Sequence, residues 1–174
     1  YGIIKMIKGE VAAKSYSDKV FLDWSRVTIK TIGMEVEIIG KENIPDGPCV
    51  FIGNHTSILD IPVLVTSSQK DMGFVAKSEL LKSPVFGYWL RKGNSVALDR
   101  DNPREAIKVI NSAVNNIKAG TSMAIFPEGT RSKDGKVGEF KKGSLKLATK
   151  SKAPIVPVSI YGASKSYEDE KQFK

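Results

Sequence analysis

The stretch from Pro48 to Asp60, PCVFIGNHTSILD, decides the fold. Pro48 to Gly53 is a short, β-rich apolar run that ends at Asn54 and His55, and Asp60 follows His55 by five residues. In a continuous helix, five steps of about 100° leave the two side chains roughly 140° apart, and in a strand an odd spacing sends them to opposite faces. The pair can meet only across a strand-to-helix turn. Such a turn puts an imidazole at the end of a strand, where α/β sheets bind ligands. It also lets the carboxylate fix the Nδ1 tautomer, so that Nε2 serves as a general base. Ser57 and Asp60 have the spacing of a capping box as well, so a structural role for Asp60 stands beside the catalytic one.

Outward from this stretch, helix and strand signals alternate. Met34 to Ile39 reads as a strand neighbouring Pro48 to Gly53, joined to it through the turn residues Asn43, Pro45, Asp46 and Gly47. Further strands are expected at Met72 to Ala76, Ser95 to Leu98, Ser122 to Phe126 and Pro154 to Ile160, with Pro157 marking an edge or bulge. Pro103 to Ala119 predicts a structural helix, with Ala106, Ile110, Ala113 and Ile117 on one face and Gly120 at the stop. The alternation implies one α/β domain over residues 34–174, a mixed sheet flanked by helices. Ahead of it, residues 1–33 repeat apolar side chains at helical spacing: Ile3, Ile7 and Val11, then Val20, Trp24 and Val27. Lys5, Lys8, Lys14, Lys19, Arg26 and Lys30 fall between them, so one or two basic amphipathic helices are expected, suited to docking on a membrane surface.

Composition narrows the chemistry. The 174 residues are 41% hydrophobic and 26% charged, an ordinary globular balance that argues against disorder. Such a length buries roughly 70% of the unfolded surface. A net charge of +8 points to a polyanionic partner, whether nucleic acid, anionic lipid or a phosphorylated substrate. A single cysteine, Cys49, forbids an intrachain disulfide, and with a single histidine the usual zinc sites are excluded. Apolar runs such as Pro154 to Ile160 fall far short of the about 18 to 20 residues that a span needs, so the chain is not expected to cross a bilayer. No signal peptide is visible. It begins at Tyr1 and stops in the charged stretch Glu168 to Lys174, as an excised piece of a longer protein would.

A second chemical segment is AIFPEGTRSK, Ala124 to Lys133, in which a short apolar strand runs into a Pro-Glu-Gly turn. Arg131 beside a hydroxyl and after a glycine suits bidentate phosphate binding with backbone N–H groups nearby.

Together the two segments resemble the glycerolipid acyltransferases, the family of bacterial-type 1-acyl-sn-glycerol-3-phosphate acyltransferases. NHTSILD resembles the first family motif, N-H-x4-D, and FPEGTRS resembles the third without departure. GNSVALDR, Gly93 to Arg100, is similar to the second, although Ala97 is smaller than is common there, and APIVPVSI, Ala153 to Ile160, is similar to the proline-bearing fourth. Lys77 in FVAKSEL matches a lysine that the family carries between its first two motifs. The resemblance runs from about Gly33 to Gly162 and departs at the ends, since relatives commonly have more chain past the fourth motif and often an apolar N-terminal anchor.

The resemblance implies that His55 is the base and Asp60 its partner. The reaction it implies moves a fatty acyl group from acyl-CoA or acyl carrier protein to the sn-2 hydroxyl of lysophosphatidate, giving phosphatidate, with no cofactor besides the thioester co-substrate. Arg131, with Arg100 and Lys77, would hold the acceptor's phosphate, while Glu128, Gly129 and Thr130 shape the acceptor pocket; the implied location is the cytoplasmic face of a membrane. For Arg100, an ion pair with Asp99 or Asp101 competes with that role; for Lys77, a solvated charge; for Glu128, orientation of Arg131. A second lysophospholipid as acceptor is an alternative. A basic nucleic-acid-binding module is another, although it would interleave aromatic and basic residues on one sheet face, which the dispersed lysines here do not. A Cys49 nucleophile is disfavoured by its apolar setting, Pro48, Val50 and Phe51. Trp24, Tyr88 and Trp89 read as core packing at least as well as a lipid-facing belt.

Overall fold

The computed structural model describes residues 1–84, 86–99, 103–141 and 143–166. After helix α1 (Gly2–Ile32), strands and helices alternate: β1 (Val50–Gly53), α2 (Asp60–Ser68), β2 (Met72–Lys77), α3 (Ser78–Lys82), α4 (Phe86–Lys92), β3 (Val96–Leu98), α5 (Pro103–Lys118), β4 (Ser122–Ile125), α6 (Lys146–Ser151) and β5 (Ile155–Val158). The strands form one sheet in the order β3-β2-β4-β1-β5. Each described pairing is parallel. Parallel neighbours need a crossover long enough to carry a helix, and each strand-to-strand connection from β1 onward carries at least one.

Alternation along the buried strands sends side chains to two cores. On one face Phe51, Phe74 and Ala124 pack with Phe21 of α1, Ile61, Leu64 and Val65 of α2 and Leu90 of α4. On the other, Val50, Ile52, Met123 and Ile125 pack with Ile110, Ala113, Val114 and Ile117 of α5 and Leu147 and Ala148 of α6. A sheet covered by helices on both faces buries its central strands completely, which is why residues 50–52 of β1 and 123–125 of β4 read as unbroken apolar runs. Pro157 lies on β5, the edge strand, where a missing N–H breaks no ladder.

Two expectations about the sheet need correcting. It is parallel rather than mixed, and Met34 to Ile39 is not a strand. For the second the cause is visible: β1 is already flanked by β4 and β5, so neither of its edges is left for the 34–39 segment. The period-two signal there is real, but Met34, Val36 and Ile38 line a groove with Arg26, Ile29 and Lys30 of α1 and Thr66 and Ser67 of α2.

The N-terminal segment is helical, with a break at Gly9, whose φ of 84° and ψ of 175° leave the helical region and are open to glycine alone. Beyond the kink the buried row is Ala13, Ser17, Phe21 and Ser25, every fourth residue. Trp24 and Val27 of the expected apolar row are exposed instead. The small residues let α1 sit close against its neighbours, and the Ser17 and Ser25 hydroxyls are satisfied by backbone carbonyls of their own helix, Lys14 and Phe21. Before the kink Ile3, Met6 and Ile7 remain exposed.

Candidate active site

Parallel strands end together, so the carboxyl edge of the sheet gathers the segments that follow β1, β2 and β4. Ile52 pairs with Ile125, which sets His55 level with Glu128. Phe74 pairs with Ala124, which sets Lys77 level with Pro127. The sequence motifs thus meet because of strand register.

His55 and Asp60 meet across the turn between β1 and α2. His55 Nδ1 lies 2.8 Å from Asp60 Oδ2, and the carboxylate is fully buried while the imidazole retains 18% exposure. The same Oδ2 accepts the backbone N–H groups of Thr56 at 2.7 Å and Ser57 at 2.9 Å. The Ser57 bond is half of a capping box; Ser57 Oγ accepts the Leu59 N–H at 3.0 Å, and the Ser57 carbonyl accepts the Asp60 N–H at 3.2 Å. One carboxylate therefore builds the turn and orients the imidazole. The imidazole also stacks on Phe126, with centroids 4.1 Å apart and planes 9° from parallel. Packing fixes the ring plane and Asp60 its rotation, which leaves Nε2 as the nitrogen available to a substrate.

The loop after β4 grips the His55 backbone from both sides. Glu128 Oε1 accepts the His55 N–H at 2.9 Å, and the Ser132 N–H donates to the His55 carbonyl at 2.7 Å. Glu128 is buried, and its Oε2 accepts the Gly138 N–H at 2.7 Å. Lys141 N–H and Ser144 Oγ both donate to the Pro127 carbonyl, which closes the loop back on its origin. At its tip the Lys136 N–H, and then the Ser132 hydroxyl, hold the Asp134 carboxyl below its ordinary range. On the other flank, Asn54 exchanges two 2.8 Å hydrogen bonds with the backbone of Ile160, tying the end of β1 to the end of β5.

Thr130 and Arg131 line a cavity of about 560 Å³ together with Thr56, Ser132, Tyr161 and Lys165. Gly129 N–H closes the turn onto the Phe126 carbonyl. Lys77 stands exposed at the end of β2, 3.5 Å from Glu79 Oε1. Arg100 lies outside the described residues. Sequence reasoning missed the Phe126 stack, the Asn54 clamp and the Gly138 contact. Asn54 had a visible signal, its place beside the histidine at a strand's end, whereas the Phe126 stack depends on which strand lies beside β1 and the Gly138 contact on how the loop after β4 closes.

Cys49 sits at the far end of β1 from His55, fully buried, and burial pushes its thiol up from the ordinary range. A thiol in that state is a poor nucleophile. Cys49→Ala is expected to keep near-normal turnover, and a thiol reagent should label the wild-type protein only after unfolding. Among the described residues no group of three or more His, Cys, Asp or Glu is arranged to hold a metal ion.

The carboxyl edge of a parallel α/β sheet, where such folds bind ligands, thus carries an oriented histidine beside an arginine-bearing loop, the arrangement of an α/β enzyme site. The Acyltransferase family model matches residues 35–161, and the chain belongs to that family. It is 38% identical over 144 residues to the chloroplastic 1-acyl-sn-glycerol-3-phosphate acyltransferase BAT2 of Brassica napus, covering 82% of this chain and 41% of that protein. It is 33% identical over 145 residues to the 1-acyl-sn-glycerol-3-phosphate acyltransferase of Pseudomonas aeruginosa, covering 80% of this chain and 56% of that one. The crystal structure of the 1-acyl-sn-glycerophosphate (LPA) acyltransferase PlsC from Thermotoga maritima superposes with a TM-score of 0.75 at 36% identity, covering 86% of this chain and 59% of that one. This chain thus spans roughly half the length of such relatives.

Proposed function

We propose that this domain transfers a fatty acyl group from a thioester donor, acyl-CoA or acyl carrier protein, to the sn-2 hydroxyl of lysophosphatidate. The observation that carries this reading is the 2.8 Å contact between His55 Nδ1 and the buried Asp60, held against a loop bearing Arg131. His55 Nε2 takes the hydroxyl proton as the acceptor oxygen attacks the thioester carbonyl carbon. The tetrahedral oxyanion then collapses, the C–S bond breaks, and the imidazolium returns its proton to the leaving thiolate. No acyl-enzyme and no cofactor enter the sequence. A positioned base contributes about 10²- to 10⁴-fold and an oxyanion donor about 3 kcal/mol more. Arg131 binds the phosphate, assisted by Lys77 and Arg100, and Glu128, Gly129 and Thr130 shape the acceptor pocket through the turn they form, Glu128 from its buried side.

The test is direct: purified protein with lysophosphatidate and either donor, following thiol release and diacyl product together. Equal release of thiol and phosphatidate is expected. Thiol release without diacyl product would make the protein a thioesterase and overturn the reading.

The acceptor and product are membrane lipids, and the proposal extends to peripheral docking through residues 1–33 at the cytoplasmic face of a membrane. Among the described residues no helix is long and apolar enough to cross a membrane. Exposed Ile3, Met6 and Ile7, interleaved with Lys5 and Lys8, suit an interfacial helix. Vesicle co-sedimentation should rise with anionic lipid, fall with salt and drop when Ile3, Met6 and Ile7 are replaced by serine. Substitution is the proper probe, because Ala13 and Phe21 belong to the buried interior and deletion of the whole segment would breach it. Unchanged binding by the triple variant would move the docking surface elsewhere.

A further inference from the structure

We propose that Glu128 is a positioning residue: its carboxylate clasps the backbone N–H groups of His55 and Gly138, and so sets the base in register with the phosphate-binding loop without touching the acceptor. The proposal rests on the acyl-transfer reading of the same site.

Glu128 is 4% exposed. A carboxylate so placed is costly unless hydrogen bonds replace its water, and here each oxygen has one: His55 N–H to Oε1 at 2.9 Å and Gly138 N–H to Oε2 at 2.7 Å. Its charge has the sign of the acceptor's phosphate, so direct contact between the two would be repulsive. Turned inward, the same carboxylate acts through the backbone. It holds the N–H side of His55 while the Ser132 N–H holds the carbonyl side at 2.7 Å. Asp60 and Phe126 fix the ring. The peptide that carries the base is therefore tied on both sides to the segment that carries Arg131, and displacement of either moves the acceptor hydroxyl relative to Nε2.

Gly138 supplies an independent observation. A Cβ there would stand 3.0 Å from Glu128 Oε2, with Glu128 Cγ at 3.7 Å. The φ of Gly138 is not positive, so its backbone would accept another residue; the clasp is what a side chain would disturb. Gly138 also lies outside both the histidine segment and FPEGTRS, and the cavity lined by Arg131 does not include it.

The test combines Glu128→Gln and Gly138→Ala, alone and together. Each is followed by amide hydrogen exchange at His55 and Gly138 and by kcat and KM with lysophosphatidate and with a phosphate-free monoacylglycerol. Glutamine keeps one acceptor oxygen but turns an NH₂ towards the other N–H, so one bond is lost. Exchange at one of the two amides should accelerate. The value of kcat should fall by the same factor for both acceptors, about 10- to 100-fold, because misplacement of a base by about 1 Å costs that much. KM for lysophosphatidate should stay near wild type. Gly138→Ala should act in the same direction less strongly, and the double variant should be no worse than Glu128→Gln, since both remove one interaction.

A rise in KM confined to lysophosphatidate, with Gly138→Ala normal, would make Glu128 an acceptor contact and overturn the proposal. So would unchanged exchange at both amides in Glu128→Gln. If that variant does not fold, Gly138→Ala decides by the same readouts. A wild type inactive on both acceptors would defeat the acyl-transfer reading instead, and amide exchange would still judge the clasp.

Discussion

Replacing His55 by alanine is expected to lower turnover by about 10²- to 10⁴-fold, the contribution of a positioned general base, with little change in melting temperature. The fold should tolerate the loss because Asp60, the buried member of the pair, keeps the Thr56 and Ser57 N–H groups as donors. Asp60→Asn separates chemistry from architecture more finely. An amide oxygen in the place of Oδ2 can accept the same three bonds, from His55 Nδ1, Thr56 and Ser57, but carries no charge to stabilise the imidazolium. Turnover should fall steeply at nearly unchanged stability. Asp60→Ala should differ, since it strands two backbone donors in the turn at about 1–3 kcal/mol each. Near-normal turnover in folded His55→Ala would sink the base assignment; a silent Asp60→Asn would reduce Asp60 to a turn builder.

How much of this was legible depends on whether the determinant is local. The His55–Asp60 contact follows from one spacing and one change of secondary structure, and both lie within thirteen residues of sequence. Helix α5 was equally readable, because Ile110, Ala113 and Ile117 repeat at helical spacing between a proline start and a glycine stop, and all three are buried. Strand identity was readable too, but not strand partnership: an alternating run such as Met34 to Ile39 carries the same signal whether it meets a sheet edge or a pair of helices. Only the order β3-β2-β4-β1-β5, which brings β5 back beside β1, removes the edge it needed.

The site shows the same division. Residue types were readable, and their mutual placement was readable only through the resemblance, because it depends on β1 and β4 being neighbours in register over a gap of about seventy residues. Glu128 illustrates the limit. Its position before Gly129 suggests a turn or a partner for Arg131, and nothing in the sequence indicates that its oxygens serve His55 and Gly138. The α1 face failed for another reason. Apolar periodicity pointed to Val20, Trp24 and Val27, whereas the buried row, Ala13, Ser17, Phe21 and Ser25, is half serine, chosen for close approach over apolar area.

Arg131→Ala should cut kcat/KM for lysophosphatidate by about 10- to 150-fold, the equivalent of losing a charged hydrogen bond worth about 1.5–3 kcal/mol. This substitution decides between lysophosphatidate and other lysolipids, because an sn-3 phosphate and an sn-2 hydroxyl are neighbours on one glycerol. A cation that anchors the first presents the second to the base, which supplies orientation that a loosely held acceptor lacks. The structure gives that logic a fixed frame, since the Ser132 N–H bond to the His55 carbonyl, 2.7 Å, holds the residue after Arg131 against the residue that bears the imidazole. Arg131 also lines the cavity with Thr56, the residue after His55. Arg131→Lys keeps the charge and loses the planar fork, so it should fall between wild type and alanine. A phosphate-free monoacylglycerol never used the contact, and its turnover should change little in either variant, whereas His55→Ala should eliminate both reactions. If Arg131→Ala slowed the two acceptors by the same factor, Arg131 would serve the donor or the loop itself, and the phosphate would have to be bound elsewhere on the sheet edge.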